Sequence, residues 1–307
     1  MIERKGYEST QFPEYLVVEA TNRCNLNCLM CDRSITTETI QNIDFGLYRK
    51  IIDESAQNGN VNLFLQFLGE PMLNPQLVPM IKYSKQQGIP FVSVTTNGTF
   101  LNKNNLAEDL LSSGIDEINI SIDGATRDTY EAIRVGASLE RVEANTRLLL
   151  AKRKGDKPSI NLAYCQSEEN EGEDQMFVNK WVNVVDSITL KAGMNPNREM
   201  IRKDRADSDR ERVPCMDLWS VFVIYSNGNV GICCEELGSK TIEANITEQS
   251  IREVWISPQY EQIRKNQLNG IYTIPDICTQ CEYWRRANDQ SGKNEIYTTF
   301  RNPILSK

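Results

Sequence analysis

Residues 21 to 32 read Thr-Asn-Arg-Cys-Asn-Leu-Asn-Cys-Leu-Met-Cys-Asp. Cys24, Cys28 and Cys31 stand in a C-x3-C-x2-C spacing, directly after the apolar run Tyr15 to Val18. Three thiolates this close in the chain can hold three irons of a cubic [4Fe–4S] cluster and leave the fourth open to a ligand that receives an electron. A zinc site wants a fourth protein ligand, often His, and the chain contains no His. The plain alternative is three unrelated buried thiols on a loop.

Outward from this loop, strands alternate with helices. Tyr15 to Ala20 reads as the first strand. After the loop, the polar stretch Ser34 to Ile43 is expected to cover the site. Helices are expected over about Phe45 to Gln57, Pro75 to Gln87, Asn104 to Ser113, Arg127 to Lys154 in two parts, and Asp174 to Val182. Strands fall between them: Val61 to Leu68, Phe91 to Thr96, Ile115 to Ile122, Ser159 to Tyr164 and Ser187 to Lys191. The run Val61 to Leu68 is almost continuously apolar, as a strand buried on both faces should be. This alternation means β-α units and a parallel α/β sheet. In parallel barrels the reactive residues come from the carboxyl ends of the strands.

At the cysteine loop the sequence resembles the radical S-adenosylmethionine (SAM) superfamily. Met30 stands where that family most often has an aromatic residue. The resemblance implies a partial (β/α)6 barrel, TIM-like, whose open iron chelates the amino and carboxylate groups of SAM. It implies reductive cleavage to a 5′-deoxyadenosyl radical that abstracts hydrogen from a substrate, with a flavodoxin- or ferredoxin-type protein as reductant. It makes Gly69 and Glu70 of Phe67-Leu68-Gly69-Glu70-Pro71 the element that receives the SAM amino group, with Leu68 departing from the usual first Gly. Thr96, Asn97, Ser121 and Asp123, at the next two strand ends, are then candidates for the ribose hydroxyls and the methionyl part. Ile120 to Gly136 looks like the subfamily with C-terminal auxiliary clusters, and Arg134 in it is a candidate SAM contact. For each, a turn, surface or helix-end role is the alternative.

The nine cysteines fall three early and five late, with Cys165 between. In an intracellular chain this usage points to metal rather than disulfides, and to an oxygen-labile protein. Cys215 precedes the apolar run Leu218 to Tyr225. The turn Ser226-Asn227-Gly228 and the segment Asn229 to Cys233 complete an expected β-hairpin. A helix from about Gln249 to Leu268 leads to Cys278-Thr279-Gln280-Cys281. Four thiolates, Cys215, Cys233, Cys278 and Cys281, can fill an iron–sulfur cluster or a zinc ion, and the spacing alone does not choose. The pattern resembles the twitch module, a truncated relative of the SPASM domain, and implies an auxiliary [4Fe–4S] cluster. The expected division is therefore a core at 1–191, a linker at 192–214, and the cluster module and tail at 215–307.

A length of 307 residues suits a main domain plus an appendage. The net charge of −8 argues against a nucleic-acid or anionic-membrane surface. No apolar stretch spans a bilayer and residues 1 to 5 show no signal-peptide pattern, so a cytoplasmic protein is expected. The acidic run Glu168 to Asp174 reads as a solvated loop and helix start.

A fully ligated auxiliary cluster can accept one electron. The leading expectation is therefore oxidation of a secondary alcohol in a sugar or cyclitol, the logic of the twitch-type aminocyclitol dehydrogenases. Lys191, at the end of the sixth strand, and Arg198 are the candidate bases. Cys234 directly follows a ligand and is a candidate hydrogen donor for an epimerase; Cys165 is another possible donor or a small core residue. Modification of a ribosomally made peptide, and a zinc-stapled binding protein without catalysis, are the remaining alternatives.

Overall fold

The computed structural model describes residues 10–31, 33, 39–193, 211–238, 241–279, 281–286 and 297–303. Six strands and six helices build the first two thirds: β1 (Tyr15–Val18), α1 (Phe45–Gln57), β2 (Asn62–Leu65), α2 (Leu77–Gln86), β3 (Phe91–Thr96), α3 (Leu106–Leu111), β4 (Glu117–Ser121), α4 (Arg127–Ile133), α5 (Leu139–Lys152), β5 (Ser159–Cys165), α6 (Asp174–Trp181) and β6 (Ser187–Lys191). The remainder contributes α7 (Asp217–Ser220), β7 (Val221–Ile224), β8 (Val230–Gly231), α8 (Ile251–Trp255), α9 (Pro258–Leu268) and β9 (Tyr297–Arg301). All nine strands form one sheet in the order β8-β7-β1-β2-β3-β4-β5-β6-β9. From β7 through β6 every neighbour pair is parallel, so the six expected units stand in sequence order as a partial barrel.

Two features lay beyond the sequence reading. Part of the C-terminal third belongs to the core sheet: β7 lies parallel to β1, Tyr15 opposite Val221 and Val18 opposite Ile224, while β9 runs antiparallel along β6. Strand β2 is also not buried on both faces. Leu16, Val18, Leu63, Leu65, Val92, Val94, Ile118, Ile120, Ile160, Leu162, Ile188 and Leu190 all point into the core under the helices. The period of two turns their neighbours to the inner face, where Ser93, Asn119 and Asn161 all hydrogen-bond to the Glu117 carboxylate. Asn62 and Phe64 of β2 are accordingly half-buried.

Local chemistry explains the other differences. The expected helix over 249–268 is two helices, because Ser257 caps a second start and Pro258 occupies its first turn. The Ser250 hydroxyl and Glu253 carboxylate form a capping box on the first. The run from Leu218 begins as the helical turn α7 and becomes strand only at Val221. The hairpin itself is present, with Val223 opposite Gly231 and Gly228 at φ 86° in its turn. Helix α1 grips the entry to α8. Lys50 Nζ donates to the carbonyls of Ile246 at 2.6 Å and Gln249 at 3.0 Å, and Glu54 accepts from the N–H groups of Ile251 and Arg252, both at 2.9 Å. No helix among the described residues is long and apolar enough to cross a membrane. Arg198, Gln280, residues 34–38 and most of the expected linker lie outside the described residues.

Candidate active site

The loop after β1 is fastened at three places. The Glu70 N–H donates to the Arg23 carbonyl at 2.7 Å, beside Gly69, where a Cβ atom would stand 1.9 Å from the Thr21 carbonyl oxygen. Only glycine lets the two backbones pass this closely. Asn25 is clasped to the end of β3: it accepts from Asn97 Nδ2 and donates to Thr99 Oγ1, both at 3.1 Å. The third tie is to the end of α4, where Asn27 and Leu29 donate to the carbonyls of Val135 and Ile133 at 3.0 and 2.9 Å. Asn25 and Thr99 were missed in the sequence; their signal is the Asn-x-Thr pair Asn97/Thr99 at a strand end.

These ties bring the three early thiols together. Burial raises the pKa of Cys24 and of Cys28, and the neighbouring thiolates add to it: Cys31 acts on Cys24, and Cys31 and Cys24 both act on Cys28. The Cys31 N–H donates to the Cys28 carbonyl at 3.1 Å. Cys24 and Cys28 thus keep their protons until a positive centre displaces them, and thiolates formed that way are the donors an iron–sulfur cube takes. The late cysteines behave alike. Burial pushes Cys215 and Cys233 well up, with Cys281 and Cys278 acting on Cys215, and Cys234 and Cys215 on Cys233. Burial, reinforced by Cys281, raises Cys278 to about 11. Among the described residues no three Cys, Asp or Glu side chains close around a point that a single ion would occupy. A cube takes its thiolates at outer corners, further apart than the ligands of one ion. Sulfur donors are the ones an iron–sulfur cluster takes. Arg212 donates from Nη2 to the Cys278 carbonyl at 2.5 Å, and the Tyr283 N–H donates to Cys281 Sγ at 3.4 Å, fixing that loop.

The strand-end residues divide into two sets. Glu70 and Thr96 hold the site together: the buried Glu70 carboxylate accepts from Thr96 Oγ1 at 2.6 Å, the Asn97 N–H at 2.7 Å and the Met72 N–H at 3.1 Å. Burial nevertheless outweighs these bonds and raises its pKa. Asp123 likewise turns inward, accepting from the Cys165 N–H at 2.7 Å and from Arg134 Nε at 2.6 Å. Arg134 is thus no solvated helix end. Burial opposes its charge, but Asp123 and Cys28 outweigh burial and push its pKa up.

Ser121, Cys165 and Lys191 form the second set. All three lie on the inner face, at the carboxyl ends of three successive strands, with Cys165 opposite Lys191. Gln66 and Thr95 join that inner side through a 2.5 Å hydrogen bond. Lys191 Nζ sits 3.9 Å from Glu235 Oε1 and 5.3 Å from the centre of the Tyr283 ring, whose hydroxyl bonds that of Tyr297. Lys191, expected as a candidate base, has a raised pKa. Burial works against its charge, but Tyr297, Glu235, Cys165 and Cys234 outweigh burial and raise its pKa, so it stands as a cation. Burial, reinforced by Asp123, lifts Cys165 to about 11. Cys234 and Cys281 both pack against the pair Ala192 and Tyr283, and Cys234 lies within electrostatic reach of Lys191. One run of neighbours thus leads from Cys28 through Arg134, Asp123, Cys165, Lys191 and Glu235 to Cys233.

Known proteins bear on this arrangement. Residues 215–282 match the SPASM iron–sulfur cluster-binding domain. The tungsten-containing aldehyde ferredoxin oxidoreductase cofactor-modifying protein of Pyrococcus furiosus is 25% identical over 315 residues, covering 87% of each chain. Among solved structures, BtrN in complex with AdoMet and 2-DOIA superposes with a TM-score of 0.64 at 20% identity, covering 94% of this chain and all of that one. Streptococcus suis SuiB bound to precursor peptide SuiA gives 0.62 at 18% identity, over 85% of this chain and 68% of that one. Residues 18–178, more than half of the chain, match the radical SAM superfamily. The chain belongs to that superfamily, and its cofactors are S-adenosylmethionine, the [4Fe–4S] cluster that binds it and an auxiliary [4Fe–4S] cluster.

Proposed function

We propose that this radical SAM enzyme oxidises a secondary alcohol of a sugar- or cyclitol-like metabolite to the ketone. The observation that carries the reading is the placement of Ser121, Cys165 and Lys191 on one inner face, between the early and the late cysteines. When bound, the cofactors supply a carbon-centred radical that takes one hydrogen atom and an acceptor for one electron. The protein's own part is to bind the alcohol and help its hydroxyl proton leave. The cationic Lys191 suits the developing alkoxide: an ammonium within hydrogen-bond reach of a hydroxyl favours its deprotonated form. Arg134, neutralised by Asp123, holds the wall between this face and Cys28. BtrN, which shares the fold, is likewise found with a small molecule, 2-DOIA.

The test is anaerobic turnover of the iron-loaded protein with SAM, dithionite and candidate polyols. The reading predicts 5′-deoxyadenosine in step with a product two mass units below the substrate. 5′-Deoxyadenosine with a product of unchanged mass would overturn it. Epimerisation is the second reading, favoured by Cys234 beside Lys191. In it, a thiol hydrogen returns to the carbon from the opposite face.

A further inference from the structure

Helix α9 runs behind the late cysteines, and one stripe of it carries Tyr260, Arg264 and Gln267, spaced to fall on a single face. Arg264 accounts for its placement, donating from Nε to the Leu218 carbonyl and from Nη1 to the Trp255 carbonyl, both at 2.9 Å. Its Nη2 and one polar group on each of its two neighbours have no hydrogen-bond partner among the described residues. Tyr260 is fully buried between Phe222 and Trp255, ring centres 6.1 and 5.3 Å away, and its hydroxyl has no hydrogen-bond partner among the described residues. Gln267 is fully buried too. Its Oε1 accepts from the Cys215 N–H at 3.2 Å, while its Nε2 has no partner among the described residues.

Orphaned buried donors are uncommon because each forfeits its hydrogen bonds to water. Three fall on this one helix face, and the two beside cluster cysteines, on Tyr260 and Gln267, ask for a common acceptor. Gln267 is joined to Cys215 directly, and Cys233 lies within electrostatic reach of the Tyr260 hydroxyl. The sulfides and thiolates of a cube at Cys215, Cys233, Cys278 and Cys281 are acceptors of the right kind in the right place. Such hydrogen bonds stabilise the more negative, reduced cluster and so raise its potential.

We propose that Tyr260 and Gln267 are positioning residues that donate to the auxiliary cluster and set its potential high enough to take an electron from a substrate radical. This rests on the proposed oxidation only for the electron's source; the hydrogen bonds need only the cluster. Neither residue touches the inner face where substrate is proposed to bind, so both act through the cluster alone.

The test is a redox titration, followed by electron paramagnetic resonance, of a full-length variant with Cys24, Cys28 and Cys31 changed to Ala, loaded with the auxiliary cluster only. Tyr260→Phe is added to this background, then Gln267→Met. Tyr260→Phe should lower the potential by about 59 mV, a tenfold change in the oxidised-to-reduced ratio of a one-electron couple, and the second change should lower it further. An exchangeable proton coupled to the reduced cluster should disappear with the hydroxyl. The iron-free Tyr260→Phe protein should melt no lower than its parent, because the hydroxyl has no other partner to lose. An unmoved potential at full iron content overturns the inference and leaves the dehydrogenase reading intact. A parent that takes up no cluster overturns both. A shifted potential here, together with a protein of native cysteines that cleaves SAM but makes no ketone, sinks the oxidation reading alone.

Discussion

The Arg134 guanidinium bridges two elements of the site: Nη2 is 2.5 Å from Asp123 Oδ2, while Nη1 stands 3.9 Å from Cys28 Sγ. Asp123 is 1% exposed, so removing its partner strands a buried charge. Arg134→Leu should cost about 3–5 kcal/mol in urea unfolding. Arg134→Lys keeps the charge but not the fork that reaches both groups; it should recover most of that stability.

Gly69→Ala tests the close passage of the cysteine loop over the end of β2. The added methyl would meet the Thr21 backbone, which has nowhere to go without moving the loop. Iron analysis should fall from about eight atoms per chain to about four, with the auxiliary cluster retained. Full iron content would contradict the fastening described for residues 21 to 31.

Cys165, with a pKa of about 11, keeps its proton at neutral pH. At pH 8 its thiolate fraction should lie about a hundredfold below that of an ordinary thiol. Alkylation of the iron-loaded protein, read by peptide mass spectrometry, should accelerate with pH up to about 11 at this residue, where an unperturbed cysteine levels off near 9.

Cys234→Ala separates the two reactions. Under dehydrogenation the variant should keep ketone formation within about threefold of the parent, since no hydrogen is returned. Solvent deuterium on an inverted carbon, present with Cys234 and lost without it, would establish epimerisation instead.

Glu54 serves as the cap of α8 from another helix, accepting from Ile251 and Arg252. Glu54→Ala should cost about 1–2 kcal/mol in denaturant unfolding, and the Tyr260 and Trp255 environment should loosen with it, visible as a red shift in Trp fluorescence.

The order of strands and helices and both cysteine groups were readable because their signals are local: apolar periodicity, glycine stops and short spacings of one residue type. The strand-end residues were readable too, but not the job each does. Glu70 and Asp123 turned out to hold the chain together, and Lys191 to be a cation, because those outcomes depend on neighbours distant in sequence such as Asn97, Arg134 and Glu235. The same holds for β7, whose four residues read as half of a hairpin. Nothing in Val221–Ile224 announces that its other edge belongs to β1. Tyr260 and Gln267 look like ordinary helix residues until their lack of partners is visible in three dimensions.

The parallel pairing of β1 with β7 makes the strand between Cys215 and Cys233 a neighbour, within one sheet, of the strand that leads into Cys24. The strand that opens the late hairpin is then held by ladder hydrogen bonds to β1 and not by a hinge. Transplanting the late cysteines from one relative to another would succeed only if the donor strand arrives in the same register.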